Sequence, residues 1–223
     1  MAFIVAIDGP AGTGKGTITK IIAQKLNLVN IDTGAMYRCV ALDCINKNIS
    51  PDEEEKIKEV LKNIDIKLKH IDGEQKVFLN GKDVSKEIRT PEVDGLVAVF
   101  AALKVVRDKI TPLQQKMGEE ENIIMEGRDI GTVVFPNADV KIFLDCSIEE
   151  RAKRRYKQNL EKGINESYEE VLNSIKERHK LETERKIAPF IKAEDAIVVD
   201  STNLSIDETA EKIEKIIRGK FND

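Results

Sequence analysis

The stretch "IDGPAGTGKGT", Ile7-Asp8-Gly9-Pro10-Ala11-Gly12-Thr13-Gly14-Lys15-Gly16-Thr17, decides how this chain is read. From Gly9 to Lys15 it satisfies the pattern G-x-x-x-x-G-K. The glycines permit a compact turn whose backbone N–H groups face inward. Together with the N-terminus of a following helix, those donors make a nest for phosphate oxygens. Lys15 adds a point charge that reaches the β- and γ-phosphates. The usual loop carries Ser or Thr directly after the lysine, where the hydroxyl holds Mg²⁺. Here Gly16 occupies that place and the hydroxyl comes one residue later, at Thr17. The frame around the loop is the one it needs. Phe3 to Asp8 is short, apolar and β-branched, as in a buried strand. Ile18, Ile21, Ile22 and Leu26 then recur at helical spacing.

Outward from the loop, strands alternate with helices. Leu28–Ile31, Ile123–Glu126, Val140–Asp145 and Ala196–Asp200 read as short strands, and Met36–Ile45 reads as a helix. Four Ser-x-x-Glu boxes mark helix starts, at Ser50 (with Pro51 at the first helical position), Ser147, Ser167 and Ser205. This rhythm predicts βαβ units and a parallel sheet. Only Ile64–Val84 breaks it. There apolar and polar residues alternate around two turn signals, Asp72-Gly73 and Asn80-Gly81, which predicts a small inserted antiparallel sheet.

Composition bounds the rest. The 223 residues, 41% hydrophobic and 34% charged, fit a soluble globular chain with a substantial core. A net charge of −4 argues against a nucleic-acid coat. Three cysteines, an odd count without zinc spacing, argue against a disulfide framework and for reduced thiols. Cys39 and Cys44 read as packing, His70 as a surface residue, and His179 as non-catalytic. The apolar run at the N-terminus stops at Asp8, too short for a signal peptide or membrane span. A cytoplasmic protein is expected.

Three further segments narrow the chemistry: "DTGAMYR" from Asp32, "MEGRDIGTVVFPNADVKIFLD" from Met125 and "SIEERAKRRYKQNLEKG" from Ser147. With "GKGT", which is similar to the loop of nucleoside monophosphate kinases, and the terminal "IKERHKLETERKIAPF", they closely resemble bacterial cytidylate kinases. The resemblance spans nearly the whole chain in the same order and spacing. It implies transfer of the γ-phosphoryl of ATP to CMP or dCMP, with Mg²⁺ held largely by phosphates and water.

Residue by residue, the resemblance implies that Gly9 to Thr17 hold the ATP phosphates, with Lys15 bridging the donor and the transferred group. It places Thr33 and Arg38 on the acceptor CMP and Arg107 on the CMP α-phosphate. Arg128 and Asp129 would read the cytosine, and Arg178 and Arg185 would close on the phosphates. Arg151, Arg154 and Arg155 fall in the mobile lid over the ATP; at i, i+3 and i+4 they share one helix face. Relatives read R-D-x-x-D-x-x-R where this chain has Arg178, His179, Glu182 and Arg185. Glu182 still offers an acceptor for a ribose hydroxyl. Glu126 resembles an acid that holds the Mg²⁺ water shell, and reads equally well as a cap of the following loop. The metal side is thus assigned to Thr17 and Glu126.

The expected architecture is an α/β, P-loop NTP-hydrolase-type three-layer fold with a central parallel sheet of about five strands. Residues 1–32, 104–150 and 164–223 form the core, 33–103 the NMP-binding subdomain with its small sheet, and 151–163 a short lid. The expected partners are CMP and dCMP, with no nucleic acid and no membrane, and the chain is expected to be a monomer. Two rival readings stand beside it: a kinase of another monophosphate such as UMP, and an ATP-hydrolysing regulatory or RNA-binding P-loop protein.

Overall fold

The computed structural model describes residues 2–71, 73–119 and 121–221. Five parallel strands form the central sheet: β1 (Ile4–Asp8), β2 (Val29–Asp32), β6 (Ile123–Gly127), β7 (Val140–Asp145) and β8 (Ile197–Asp200). Their order is β2-β6-β1-β7-β8. The short apolar stretches become strands because both faces are covered. Val5 and Ile7 point into one core with Ile22 of α1 (Lys15–Leu26) and Ile213 and Ile217 of α8 (Ile206–Phe221). Ala6 points the other way, with Ile31, Met125, Ile130 and Val134. This is the P-loop architecture expected above. β1 lies between β6 and β7 and its chain direction feeds α1, so the loop sits at the carboxyl end of the central strand, where the strand order reverses and ligands bind.

The inserted antiparallel sheet is present as β3 (Ile66–Ile71), β4 (Glu74–Leu79) and β5 (Lys82–Asp83). Of its two turns, Asn80-Gly81 has both residues left-handed, at φ 51° and 84°. Asp72 lies outside the described residues. This sheet shares a second core with α2 (Gly34–Asn46), α3 (Glu54–Asn63), α4 (Pro91–Ala102) and α5 (Lys104–Lys116), built around Met36, Ile57, Ile88 and Phe100. Cys39 and Cys44 are buried in it and Cys146 is buried elsewhere; all three are free. The exposed His70 docks the sheet onto β2 through Nε2 and the Asn30 carbonyl, 2.8 Å apart.

Ser147, Ser167 and Ser205 start helices as their boxes predict. Ser147 Oγ accepts from Glu150 N at the head of α6 (Ile148–Glu161). Ser167 and Glu170 form the full reciprocal box before α7 (Tyr168–Glu184), and Ser205 and Glu208 do so before α8. Ser50 departs from the expectation. The Glu53 carboxylate reaches back to Ser50 N, and Glu53 N donates to the Ser50 carbonyl, closing a turn. Glu53 has ψ 59°, outside the helical region, so α3 begins at Glu54 rather than at Pro51. β2 also runs one residue later than the apolar pattern suggests. Among the described residues no helix is long and apolar enough to cross a membrane.

Candidate active site

The loop leaves β1 and enters α1 at Lys15 with Gly14 left-handed at φ 84°, a conformation glycine reaches without steric cost. Lys15 is buried. Its Nζ donates to the Pro10 carbonyl at 2.8 Å and lies 3.4 Å from Thr13 Oγ1. Burial first, and then the Arg128 charge, lower its pKa to about 7, while Glu126 and Glu182 oppose that shift.

The glycine after the lysine lies close against Glu126. A Cβ on Gly16 would lie 3.1 Å from Glu126 Oε1. Glu126, buried near the end of β6, fills the side of the loop where a Ser or Thr hydroxyl would otherwise sit. Its Oε1 is 3.4 Å from Thr19 Oγ1. Burial and the neighbouring Asp32 raise its pKa, against the pull of Lys15 and Arg128. Thr17 is exposed on the first turn of α1.

Asp8, at the end of β1, accepts from Ile130 N and Gly131 N, both at 2.8 Å. Those donors open a single π-helical turn, Ile130–Val134, which aims the Arg128-Asp129 pair. Burial lifts the Asp8 pKa to about 6 against these two hydrogen bonds. A carboxyl raised in the folded state favours folding fully below its ordinary value of 3.8, and that contribution is lost as pH rises through about 6. In Asp8→Asn one oxygen becomes an NH₂ facing a backbone N–H. At neutral pH this should cost about 1–3 kcal/mol, the scale of one unsatisfied buried donor. At about 2–4 °C per kcal/mol, Tm should fall by several degrees in a thermal melt. The stability slope between about pH 4 and 6 should flatten in the same variant.

Except for Arg151, the arginines named from the sequence each lie against a carboxylate. Arg107 Nη2 bonds Asp129 Oδ2, and Arg185 Nη2 lies 3.6 Å from Asp129 Oδ1. Arg107, expected on the α-phosphate, also donates to the Ala101 carbonyl and lies over the Tyr37 ring. Arg128 Nε donates to Glu182 Oε2 at 2.8 Å, and Arg178 Nε donates to Glu182 Oε1 at 3.0 Å. Burial works to raise the Glu182 pKa, but Arg128 and Arg178 overcome it and hold it at about 2. Thr33 Oγ1 donates to the Glu126 carbonyl at 2.7 Å. His179 packs edge-on against Phe190 and bears no relation to the loop.

The three α6 arginines part company. Arg151 Nη1 donates to the Ala11 carbonyl at 3.1 Å, and Arg154 Nη1 to the Thr13 carbonyl at 3.3 Å. Both brace the loop from outside by holding its carbonyls, which favours inward-facing N–H groups. Arg155 instead reaches Asp94 on α4 at 2.7 Å.

Sequence reasoning missed Asp8, Arg89 and Asp94. Asp8 was visible as the first polar residue after an apolar strand, directly before the loop. Arg89 pairs with Asp32 at 2.6 Å. Asp94 takes Arg38, and neither partnership leaves a local signal.

A family model described as cytidylate kinase matches residues 5–219. A cytidylate kinase of Bacillus subtilis (strain 168) is 48% identical over 216 residues, covering 97% of this chain and 96% of the relative. One from Caldicellulosiruptor bescii is 48% identical over 209 residues, covering 94% and 92%. A solved structure of an uncharacterized protein from Eubacterium ventriosum shares the fold, with a TM-score of 0.53 at 14% identity, covering 98% of this chain and 99% of that one.

Proposed function

The chain belongs to the cytidylate kinase family, and from that premise we propose how its residues divide the work of phosphoryl transfer. It is an ATP-dependent phosphotransferase acting on CMP and dCMP. The loop from Gly9 to Thr17 receives the ATP phosphates on its N–H groups, with Lys15 as the mobile charge. Arg151 and Arg154 keep the loop in shape. On the acceptor side, Arg38, Arg128 and Arg178 hold the monophosphate. Arg107 and Arg185 fix the Asp129 carboxylate, which accepts from the cytosine amino group. Glu182 takes a ribose hydroxyl.

The observation that carries this reading is the cluster in which Arg128 and Arg178 both donate to the buried Glu182, with charges that act on Lys15 of the loop. In this reading the donor-side lysine and the acceptor-side arginines act on one transferred group. Such positioning can supply about 7–11 kcal/mol of barrier reduction. The attacking oxygen belongs to a phosphate already ionised, so no general base is required. The arginines supply bidentate donors that never lose their protons.

Mg²⁺ fits the buried Glu126 carboxylate of β6, a hard oxygen donor beside Gly16 of the loop, with the Thr17 hydroxyl exposed on the first turn of α1. When bound, the ion would neutralise charge on the phosphates. Glu126 would hold it through water, which keeps Lys15 free to serve the transferred group.

Residues 33–103 are proposed as the acceptor-binding part, built on a core they share with α5, and 151–163 as the lid. A monomer is part of the proposal. Buried free cysteines suit a reducing cytoplasm.

The test is ADP formation from Mg-ATP with CMP, dCMP, UMP, AMP or GMP, each separately. CMP and dCMP should stimulate strongly and the others weakly. Equal stimulation by UMP would refute the assignment of Asp129, and turnover without acceptor would revive a hydrolysing regulator.

A further inference from the structure

We infer that Asp94 is a built-in stand-in for the acceptor's phosphate: its carboxylate gathers Arg38, Arg155 and Arg178 and must give them up when the monophosphate arrives. The inference rests on the acceptor role proposed for Arg38 and Arg178. Asp94 lies in the first turn of α4, after a Thr90 cap and Pro91. An acid there is ordinarily a solvated partner of the helix dipole. This one has only 19% of its side chain exposed and faces three guanidinium groups. Oδ1 takes Arg38 Nη2 and lies 3.9 Å from Arg178 Nη1, while Oδ2 takes Arg155 Nη2 at 2.7 Å.

The three arginines come from α2, α6 and α7, so no single helix periodicity brings them together. Three guanidinium groups meet the Asp94 carboxylate, one of them shared with Glu182, and a doubly charged phosphate would neutralise them better than a singly charged acid. Phosphate also offers three oxygens to guanidinium forks that a carboxylate satisfies only in part. Burial alone would raise the Asp94 pKa, but Arg38 and Arg155 hold it below the ordinary carboxylate value, so the group is ionised whenever the enzyme works.

The arginines are not equally free to leave. Arg38 is also tied to the Ile88 carbonyl at 3.0 Å, and Arg178 to Glu182. Arg155 has Asp94 and its exposed neighbour Gln158 as partners. Asp94 thus joins α6, which carries the proposed lid, to α4 on the proposed acceptor side. The arginines are pre-aimed, and the incoming phosphate must displace an internal competitor to engage them.

Asp94→Asn removes the competing charge and keeps the shape. Calorimetric titration should show CMP binding the variant about tenfold more tightly, on the scale of one charge-assisted hydrogen bond. Cytidine, which lacks the phosphate, should bind wild type and variant alike. Inorganic phosphate should gain affinity with CMP. Weaker CMP binding by the variant, or parallel changes for CMP and cytidine, would overturn the inference. Asp94→Ser is the second variant should Asp94→Asn fold poorly, with the same three ligands. Wild-type turnover of CMP is measured alongside. Its absence would refute the acceptor reading itself, whereas normal wild-type turnover with no tightening in either variant would refute only the role of Asp94.

Discussion

Arg128→Ala should lower kcat/KM for CMP by about 10³-fold, the lower end of what a guanidinium contributes to developing phosphoryl charge. ATP affinity should change little, because the loop and its braces, Arg151 and Arg154, are untouched. Arg128 is proposed to serve both halves of the site. It donates to Glu182 and to the Gly127 carbonyl, and its charge acts on Lys15. Its loss has a second effect. Glu182 is buried, and its low pKa of about 2 depends on Arg128 before Arg178. A carboxyl depressed in the folded state stabilises above its ordinary value of 4.5, and that contribution is lost as pH falls through about 2. The variant should therefore unfold at higher pH on acid titration. Arg128→Lys should recover little, since an ammonium cannot reproduce the fork. Unchanged CMP turnover in Arg128→Ala would sink the assignment; a fall in Tm without a fall in kcat/KM would reduce Arg128 to a structural partner of Glu182.

Lys15→Met should abolish most turnover, again by about 10³-fold or more, the scale of removing one preorganised donor from developing charge. The low Lys15 pKa allows a sharper test. Near pH 8 a lysine of pKa about 7 is mostly neutral in the substrate-free protein. A polyphosphate beside it raises that pKa, so binding ATP at pH 8 should take up close to one proton per site. Calorimetry in two buffers of different ionisation enthalpy measures that uptake, and Lys15→Met should remove it. Stability moves the opposite way. A buried lysine of lowered pKa opposes folding at low pH, and the penalty fades as pH rises from about 7 toward 10.5. The Met variant should thus melt higher than wild type below pH 7 in the absence of nucleotide. Equal proton uptake by both proteins would show that another group titrates.

What was legible in the sequence was local. β1, the loop and α1 follow one another within a few residues, and each has a periodicity or a turn signal of its own. The capping boxes at Ser167 and Ser205 work because donor and acceptor are three residues apart. Ser50 misled because the same spacing also closes an isolated turn, and nothing nearby forced Glu53 into helical backbone. The site was legible as a set of arginines but not as a set of pairs. Arg107 finds Asp129, Arg128 finds Glu182, and Arg155 finds Asp94 across distant parts of the chain. Such partnerships are fixed by the sheet order and by which helices meet, and no spacing rule encodes them. Asp8 and Glu126 were each visible as an acid at a strand end. What each touches depends on strands that are neighbours only in space.

The sheet order also sets a timetable for synthesis. The central strand β1 is the first to leave the ribosome, yet its partner Ile123 in β6 is made roughly 120 residues after Ile4. At about 5–20 residues per second, the most apolar strand waits several seconds or longer without a sheet to join. The core around Met36, Ile57, Ile88 and Phe100 draws only on chain made before β6. It can therefore close first, as a nascent unit still tethered to an unfolded leader. The half proposed to receive the acceptor is then assembled before the half that carries the glycine-rich loop, although that loop was translated first.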